Sequence, residues 1–351
     1  MRVAIDATPL TLSSGGLCRY TTELTLALAS EFPEDRFILI SDQPFALPDT
    51  TSPNLLQAPG PRSRAERRWW LWGANRALRR ERIDVFHGVN FSVPYLKRFP
   101  SVLSLHDLSP WMNAAWHHAA ERARNRTPWL IRLGIATMIL TLSEAVRRKA
   151  IERFRIAPSR IVAVPLAASQ IFRPVPALPR KPYFLYVGTL EPRKNLHQLL
   201  EAWHEVRKRH DVDLILAGRK REDFPALAPE PGLSLLGEVA DSDLPPLYSG
   251  ALAFVYPSHY EGFGLPVLEA MQCGALVITS RDPAISEVAS GAAVQAGSVA
   301  EMVEAMRCAV EQPEWVAGWR AKSLRRAREF SWSRTARLTR EVYEAAIERF
   351  R

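Results

Sequence analysis

Short apolar runs alternate with helix-length amphipathic stretches along almost the whole chain. Runs rich in Val, Ile and Leu at 3–6, 37–40, 85–87, 102–106 and 138–142 predict strands, and 21–30 and 145–154 show helical periodicity. These runs are nearly continuous in apolar residues and do not alternate in and out. That predicts a parallel sheet covered on both faces. A proline-dense stretch at 172–182, FRPVPALPRKP, interrupts the pattern. Proline lacks a backbone donor and fixes φ, so this stretch reads as a linker. Beyond it the alternation restarts, with strands predicted at 183–188, 213–217, 233–236, 252–256 and 276–279. Helices are predicted at 196–209, 266–273, 285–289, 300–311, 315–330 and 333–350. The expectation is an α/β protein of two Rossmann-like, doubly wound parallel-sheet domains, 1–172 and 183–330, facing a central cleft and joined by 173–182.

The 351 residues are 47% hydrophobic and 24% charged, an ordinary globular composition that excludes disordered, collagen-like and disulfide-scaffold classes. Cys18, Cys273 and Cys308 are far apart and odd in number, which argues against a disulfide framework or zinc site and for a reducing, cytoplasmic setting. Met1-Arg2-Val3 runs directly into a strand pattern with no signal-peptide character. No stretch reaches the ~18 apolar residues of a membrane span. The nearest, 129–142, is broken by Arg132 and Gly134, and its second half reads as a strand.

Charge divides the chain further. The net +9 is +10 over 1–173, −7 over 174–319 and +6 over 320–351. The densest basic stretch, 62–82, interleaves eight arginines with Trp69, Trp70 and Trp72. A helix over 65–82 would present a cationic, aromatic surface suited to an anionic membrane. The alternative is a solvated helix with its tryptophans in the core. No nucleic-acid reader motif accompanies the charge, so no nucleic-acid partner is expected.

Three loops that join a strand to a helix carry candidate chemistry. Ser13-Ser14-Gly15-Gly16 follows the first strand, and its glycines allow backbone N–H groups to approach an anion at a helix end. A capping loop reads equally well there. Gly188-Thr189-Leu190-Glu191-Pro192-Arg193-Lys194-Asn195 places two cations at a helix start, against the dipole preference, which fits a shared phosphate; a surface pair is the alternative. In Glu261-Gly262-Phe263-Gly264-Leu265-Pro266-Val267-Leu268-Glu269, Glu261 lies in the loop and Glu269 about one turn into the helix. Carboxylates accept from hydroxyls and exposed amides hold phosphate, so this loop suits a ligand with hydroxyls at both ends and phosphate between, although acids favour helix starts in any case. Asp211-Val212-Asp213 and Asp241-Ser242-Asp243 read as turn and cap, so no metal site is expected. His117-His118 reads as structural.

The run PSHYEGFGLPVLEAMQCG at 257–274, with VGTLEPRKN at 187–195, closely resembles the retaining glycosyltransferases of family 4, which have the GT-B fold. GALAFVYPS (250–258), LSLLGEVADSDLPPLY (233–248) and FSWSRTARLTREVY (330–343) are similar. So are SSGGLCRYTTEL (13–24), FHGVNFSVP (86–94), SLHDLSP (104–110) and TLSEA (141–145). The resemblance implies transfer of a hexose, with retention, from a nucleotide-diphosphate sugar held by the second domain to an acceptor held by the first. It also implies that 331–351 crosses back onto the first domain.

In that scheme Lys194 and Arg193 neutralise the diphosphate, Glu269 accepts the ribose hydroxyls, and Glu261 binds sugar hydroxyls beside the reacting carbon. Backbone amides of Phe263, Gly264 and Leu265 grip phosphate and sugar, and Gly188 and Val239 complete the donor side. Gly16 closes the phosphate site from the other domain. Gly15, His106 and Ser143 line the acceptor side, and His106 is also a candidate for stabilising the transition state. Two departures stand out: Thr189 replaces a frequent arginine, and Leu166-Ala167-Ala168 replaces an Asn-Gly turn.

No residue stands out as a covalent nucleophile; retention is what the resemblance implies, through a same-face route in which the leaving phosphate helps deprotonate the acceptor. No cofactor is implied, since the nucleotide sugar is a substrate. FHGVNFSVP and GTLEPRKN favour a GDP-sugar of mannose type over a UDP-sugar. The implied acceptor is a glycan or lipid-linked glycan of a surface polysaccharide or glycolipid, reached at the inner face of the plasma membrane. Same-fold epimerases or phosphorylases, and a non-catalytic glycan- or lipid-binding subunit, are the alternatives.

Overall fold

The computed structural model describes residues 1–12, 15–113, 116, 121–176 and 181–350. Ser13, Ser14, His117, His118 and the linker residues 177–180 of the sequence reading lie outside them. The chain forms two units, Met1–Leu166 with Ser331–Arg351, and Ala167–Phe330.

Among the described residues the first unit holds a seven-stranded parallel sheet. Its strands are β1 (Arg2–Asp6), β2 (Arg36–Ile40), β3 (Leu55–Gln57), β4 (Val85–Gly88), β5 (Ser101–Leu105), β6 (Met138–Thr141) and β7 (Ile161–Ala163), in the order β3-β2-β1-β4-β5-β6-β7. The helices are α1 (Gly16–Glu31), α2 (Ala74–Arg80), α3 (Ser109–Met112), α4 (Glu121–Arg132) and α5 (Glu144–Phe154). Strands β4, β5 and β6 are buried at every position, as central strands of a parallel sheet covered on both faces are. The sequence pattern misses β3 and β7, three residues each at the two sheet edges, because so short a run carries no periodicity. It also misses α4, whose interior Pro128 breaks the helical signal. The carbonyl that Pro128 cannot pair, that of Arg124, accepts instead from the Trp111 indole at 3.1 Å.

The basic segment departs from the expected helix over 65–82. Residues 64–67 form a turn, Trp69–Gly73 a π-helical turn, and only Ala74–Arg80 a regular helix. The backbone of Gly73 lies so close to that of Glu66 that a Cβ would sit 2.0 Å from the Glu66 carbonyl oxygen. The Glu66 carboxylate accepts from the Arg62 amide (2.9 Å) and from Arg80 Nη1 (3.0 and 3.1 Å), pinning the turn to α2. Trp69 is buried and Trp72 is 40% exposed.

The second unit holds a six-stranded parallel sheet of β8 (Tyr183–Val187), β9 (Asp213–Ala217), β10 (Leu233–Gly237), β11 (Ala253–Tyr256), β12 (Val277–Thr279) and β13 (Val294–Gln295). Their order is β10-β9-β8-β11-β12-β13. It carries α6 (Leu196–Arg207), α7 (Leu244–Gly250), α8 (Leu265–Gln272), α9 (Pro283–Ala289), α10 (Val299–Glu311) and α11 (Pro313–Ala327). The unit begins at Ala167, ahead of the expected boundary at residue 172. Gln272 Nε2 donates to the carbonyl oxygens of Ser169 (2.8 Å) and Phe172 (2.7 Å), and the Phe172 ring meets Tyr248 edge-on. Residues 167–172 are thereby anchored before the prolines begin.

The long helix α12 (Trp332–Phe350) belongs to the first unit. It is fixed there by a buried polar chain. His87 Nδ1 pairs with the Tyr343 hydroxyl and His87 Nε2 with Ser104 Oγ, both at 2.8 Å, and Ser104 Oγ pairs with the Tyr20 hydroxyl of α1 at 3.1 Å. Burial, with a lesser contribution from His106, pushes the His87 imidazole down to about 3, so it is neutral, with one nitrogen donating and the other accepting. Arg340 of α12 adds an ion pair to Asp35 at 2.7 Å.

Tyr343→Phe keeps the ring and leaves one buried nitrogen of His87 unpartnered. It should cost about 1–3 kcal/mol, read as a lower thermal or denaturant midpoint; an unchanged midpoint would show that the bond contributes nothing.

Candidate active site

Strands β8 and β11 are neighbours in the second sheet, so the loops leaving their carboxyl ends lie side by side. Gly188 follows β8 directly and donates its N–H to the Ala217 carbonyl at 2.9 Å. The chain then makes a 3₁₀ turn at Pro192–Lys194 and enters α6 through Asn195, whose left-handed backbone (φ 57°) reverses the path. Nδ2 of Asn195 donates to Gln198 Oε1 (2.7 Å) and to the Pro257 carbonyl (3.3 Å) beyond β11, tying the two loops together.

That juxtaposition brings Arg193 and Lys194 onto Glu261. Glu261 Oε1 accepts from Lys194 Nζ at 2.5 Å, Ser258 Oγ at 2.6 Å and the Tyr256 hydroxyl at 3.0 Å, while Arg193 Nη1 approaches Oε2 at 3.1 Å. Lys194 Nζ also donates to the Tyr256 hydroxyl at 2.7 Å. Arg193 reaches Glu191 Oε1 at 2.7 Å, and Arg221 reaches Glu191 Oε2 at 2.8 Å. The cations Arg221, Arg193 and Lys194 thus alternate with the carboxylates Glu191 and Glu261 in a nearly buried row. Burial alone would raise the Glu261 carboxyl, but Arg193 and Lys194 beside it hold it down to about 2. Burial, and then Arg193, push the Lys194 ammonium below its ordinary value.

The loop 261–264 then opens α8. Gly264 occupies the left-handed region (φ 100°) that a side chain resists, and its carbonyl receives the amides of Val267 and Leu268. The amides of Phe263 and Gly264 meet no acceptor among the described residues, and Leu265 stands at the helix N-terminus, where amides lack intrahelical partners. Donors with the positive end of a helix behind them are available to an anion here. Glu269 is buried within α8 and accepts from the Tyr248 hydroxyl at 3.2 Å. Val239 lies half-buried in the loop after β10.

Sequence reasoning missed Glu191, Ser258, Tyr256 and Asp282. Asp282 caps α9 through the amides of Ala284 (3.0 Å) and Ile285 (3.1 Å) and also accepts from the Glu261 backbone; burial pushes it up to about 6. The signal for Glu191 and Ser258 was their place inside the two motifs.

The first unit's candidates line the carboxyl edge of its own sheet. His106 follows β5 and donates Nε2–H to the Val89 carbonyl at 2.5 Å, with Tyr20 and Phe91 edge-on to its ring. Burial pushes its imidazole below the ordinary value. With Nε2 protonated, Nδ1 is left as an acceptor. Gly15 and Gly16 cap and begin α1 with open space around both. Ser143 is fully buried and caps α5 by accepting from the Val146 amide at 3.2 Å. Among the described residues no three His, Cys, Asp or Glu side chains gather as metal ligands would. Lys181 pairs with Asp211 and, at 3.3 Å, with Asp213, while Asp241–Asp243 form a 3₁₀ turn before α7.

The glycosyltransferase family 4 model matches residues 14–169, and that of the glycosyl transferases group 1 matches 169–326. The chain is 36% identical over 298 residues to the O-antigen chain mannosyltransferase B of Escherichia coli, covering 76% of each. The chain belongs to glycosyltransferase family 4. A second relative, the serotype-specific mannosyltransferase WbdA of Escherichia coli, is 28% identical over 239 residues, 61% of this chain and 29% of that one. The sucrose-phosphate synthase structure from Thermosynechococcus elongatus shares the fold, with a TM-score of 0.77 at 18% identity and 98% coverage of both chains. The protein is therefore a glycosyltransferase.

Because Glu261 is held below its ordinary value of 4.5, its ion pairs contribute stability fully above that value and lose it as pH falls through about 2. ¹³C-carboxyl NMR, assigned with Glu261→Gln, should place its titration near pH 2. A midpoint at the ordinary value would mean that the cations do not hold it.

Proposed function

We propose that this glycosyltransferase moves a mannosyl unit, with retention, from a GDP-linked donor to the end of a surface glycan on the cytoplasmic side of a membrane, without a metal ion. The observation that carries the chemistry is the convergence of Lys194 and Arg193 on Glu261 beside the unfilled amides of Phe263 and Gly264. The mannosyl and glycan-chain assignments are supported by the relative at 36% identity.

When the bond from the sugar to the β-phosphate breaks, its electron pair goes to a phosphate oxygen, and fixed cations and amides in a poorly solvated setting stabilise the charge that builds there. Lys194 gives two of its three protons to Glu261 and Tyr256, which leaves the third for that oxygen. Glu261 and Glu269 accept hydroxyls of the sugar and the ribose. On the acceptor side, Nδ1 of His106 accepts a sugar hydroxyl and fixes its direction, and the proton of the attacking hydroxyl leaves with the phosphate.

Among the described residues no helix is long and apolar enough to cross a membrane. Peripheral attachment is supported by two aromatic, cationic segments that adjoin in the first unit. Tyr95 donates its amide to the Trp70 carbonyl at 2.8 Å and receives Arg126 of α4 on its hydroxyl at 2.6 Å. Along the basic segment Arg64, Arg68, Trp72 and Arg79 are exposed, as are Lys97 and, on α4, Trp129 and Leu133 at 62% and 59%. Apolar rings among cations suit an anionic bilayer surface.

Calorimetric titration in EDTA should show GDP binding that Lys194→Ala weakens by ~1.5–3 kcal/mol, the worth of a charge-assisted bond. Binding that appears only with magnesium would overturn the metal-free account. Arg64→Gln, Arg68→Gln and Arg79→Gln combined with Trp129→Ser should release the protein from phosphatidylglycerol vesicles in sedimentation while GDP binding is kept; undiminished sedimentation would remove this surface from membrane attachment.

A further inference from the structure

The first unit carries an open pocket of about 520 Å³ at the carboxyl ends of β2 and β3, which shares none of its lining with the candidate catalytic and donor residues. Its polar lining includes Asp42, Gln43, Gln57 and Arg67, and Phe45 and Pro61 supply apolar surface. The side chains of those four polar residues make no hydrogen bond or ion pair with the described residues, whereas nearby Arg76 and Arg80 are committed to Glu66. A carboxylate and two amides offer acceptors and donors together, and an aromatic ring offers a flat apolar face. Sugar rings carry hydroxyls on their rims and C–H groups on their faces, so the lining matches a carbohydrate.

Its position sharpens the match. All strands of this sheet are parallel, so the pocket and His106 lie on the same carboxyl-end edge, where doubly wound sheets bind ligands. From β5 to β2 and β3 is three to four strand steps, about 15–20 Å at the usual spacing. One sugar cannot reach both places, and a short oligosaccharide can.

We propose that this pocket is a distal acceptor subsite that holds a sugar of the glycan several units behind the one that reacts at His106, so that the enzyme measures acceptor length. This rests on the glycan-acceptor reading above.

The test uses the full chain with a mannose disaccharide and a mannose pentasaccharide, following binding by ligand-observed NMR and elongation in the presence of the GDP-sugar. The wild type should bind the pentasaccharide about tenfold more tightly. Gln43→Ala with Gln57→Ala, both at exposed positions, should erase that preference by raising KM for the long acceptor alone, with kcat and the KM of the disaccharide unchanged. Equal affinity for the two lengths in the wild type, or a preference that survives in the double variant, overturns the subsite. Elongation without length preference overturns the subsite and leaves the transferase reading intact. A length preference that the variant abolishes, without elongation, keeps the pocket as a glycan-binding site and overturns the GDP-mannosyl transfer on which its acceptor role rests. Neither binding nor elongation overturns both.

Discussion

Arg193 and Lys194 can be buried side by side because Glu261 lies between them. Two cations removed from water cost several kcal/mol each unless counter-charge and hydrogen bonds are supplied in place. Here Glu261 accepts from Lys194 and pairs with Arg193, Glu191 takes the far side of Arg193, and Tyr256 and Ser258 donate to the same carboxylate. The row also fixes backbone. It ties the turn after β8 to the loop after β11, and so sets where the amides that open α8 point. In the proposed reaction, a phosphate arriving beside Lys194 would enter a site whose donors are already in place, which would lower the reorganisation that charge development demands.

The candidate residues of the two units differ in electrostatic character. Those of the second unit form a row of fixed charges. Those of the first are neutral: a histidine whose tautomer is set by the Val89 carbonyl, and a glycine turn at the start of α1. In the proposed reaction the charges would serve the anionic leaving group and the neutral groups the hydroxyls of the acceptor.

The fold class was legible because buried parallel strands write short, nearly continuous apolar runs, and β2, β6, β8 and β9 all read that way. The motifs around Arg193, Lys194 and Glu261 were legible as separate loops. Their direct contact was not, since Lys194 and Glu261 are 67 positions apart and meet only through strand order. Edge strands of two or three residues left no pattern, and Pro128 hid α4. The π-helical start of the basic segment follows from one backbone approach, Gly73 to Glu66, which periodicity does not encode. The pocket at the carboxyl ends of β2 and β3 was invisible for the same reason: Asp42, Gln43 and Gln57 look like ordinary surface polarity until the sheet gathers them.

The attachment of α12 to the first unit has a consequence for the order in which the molecule is made. His87 waits for a partner 256 positions later, and everything in the second unit is translated in between. The second unit is contiguous and can close its core as soon as α11 has emerged. The first must persist on the ribosome with one flank of its sheet uncovered and the His87 imidazole unsealed. The enzyme is therefore assembled out of sequence order, with the first unit begun first and completed last.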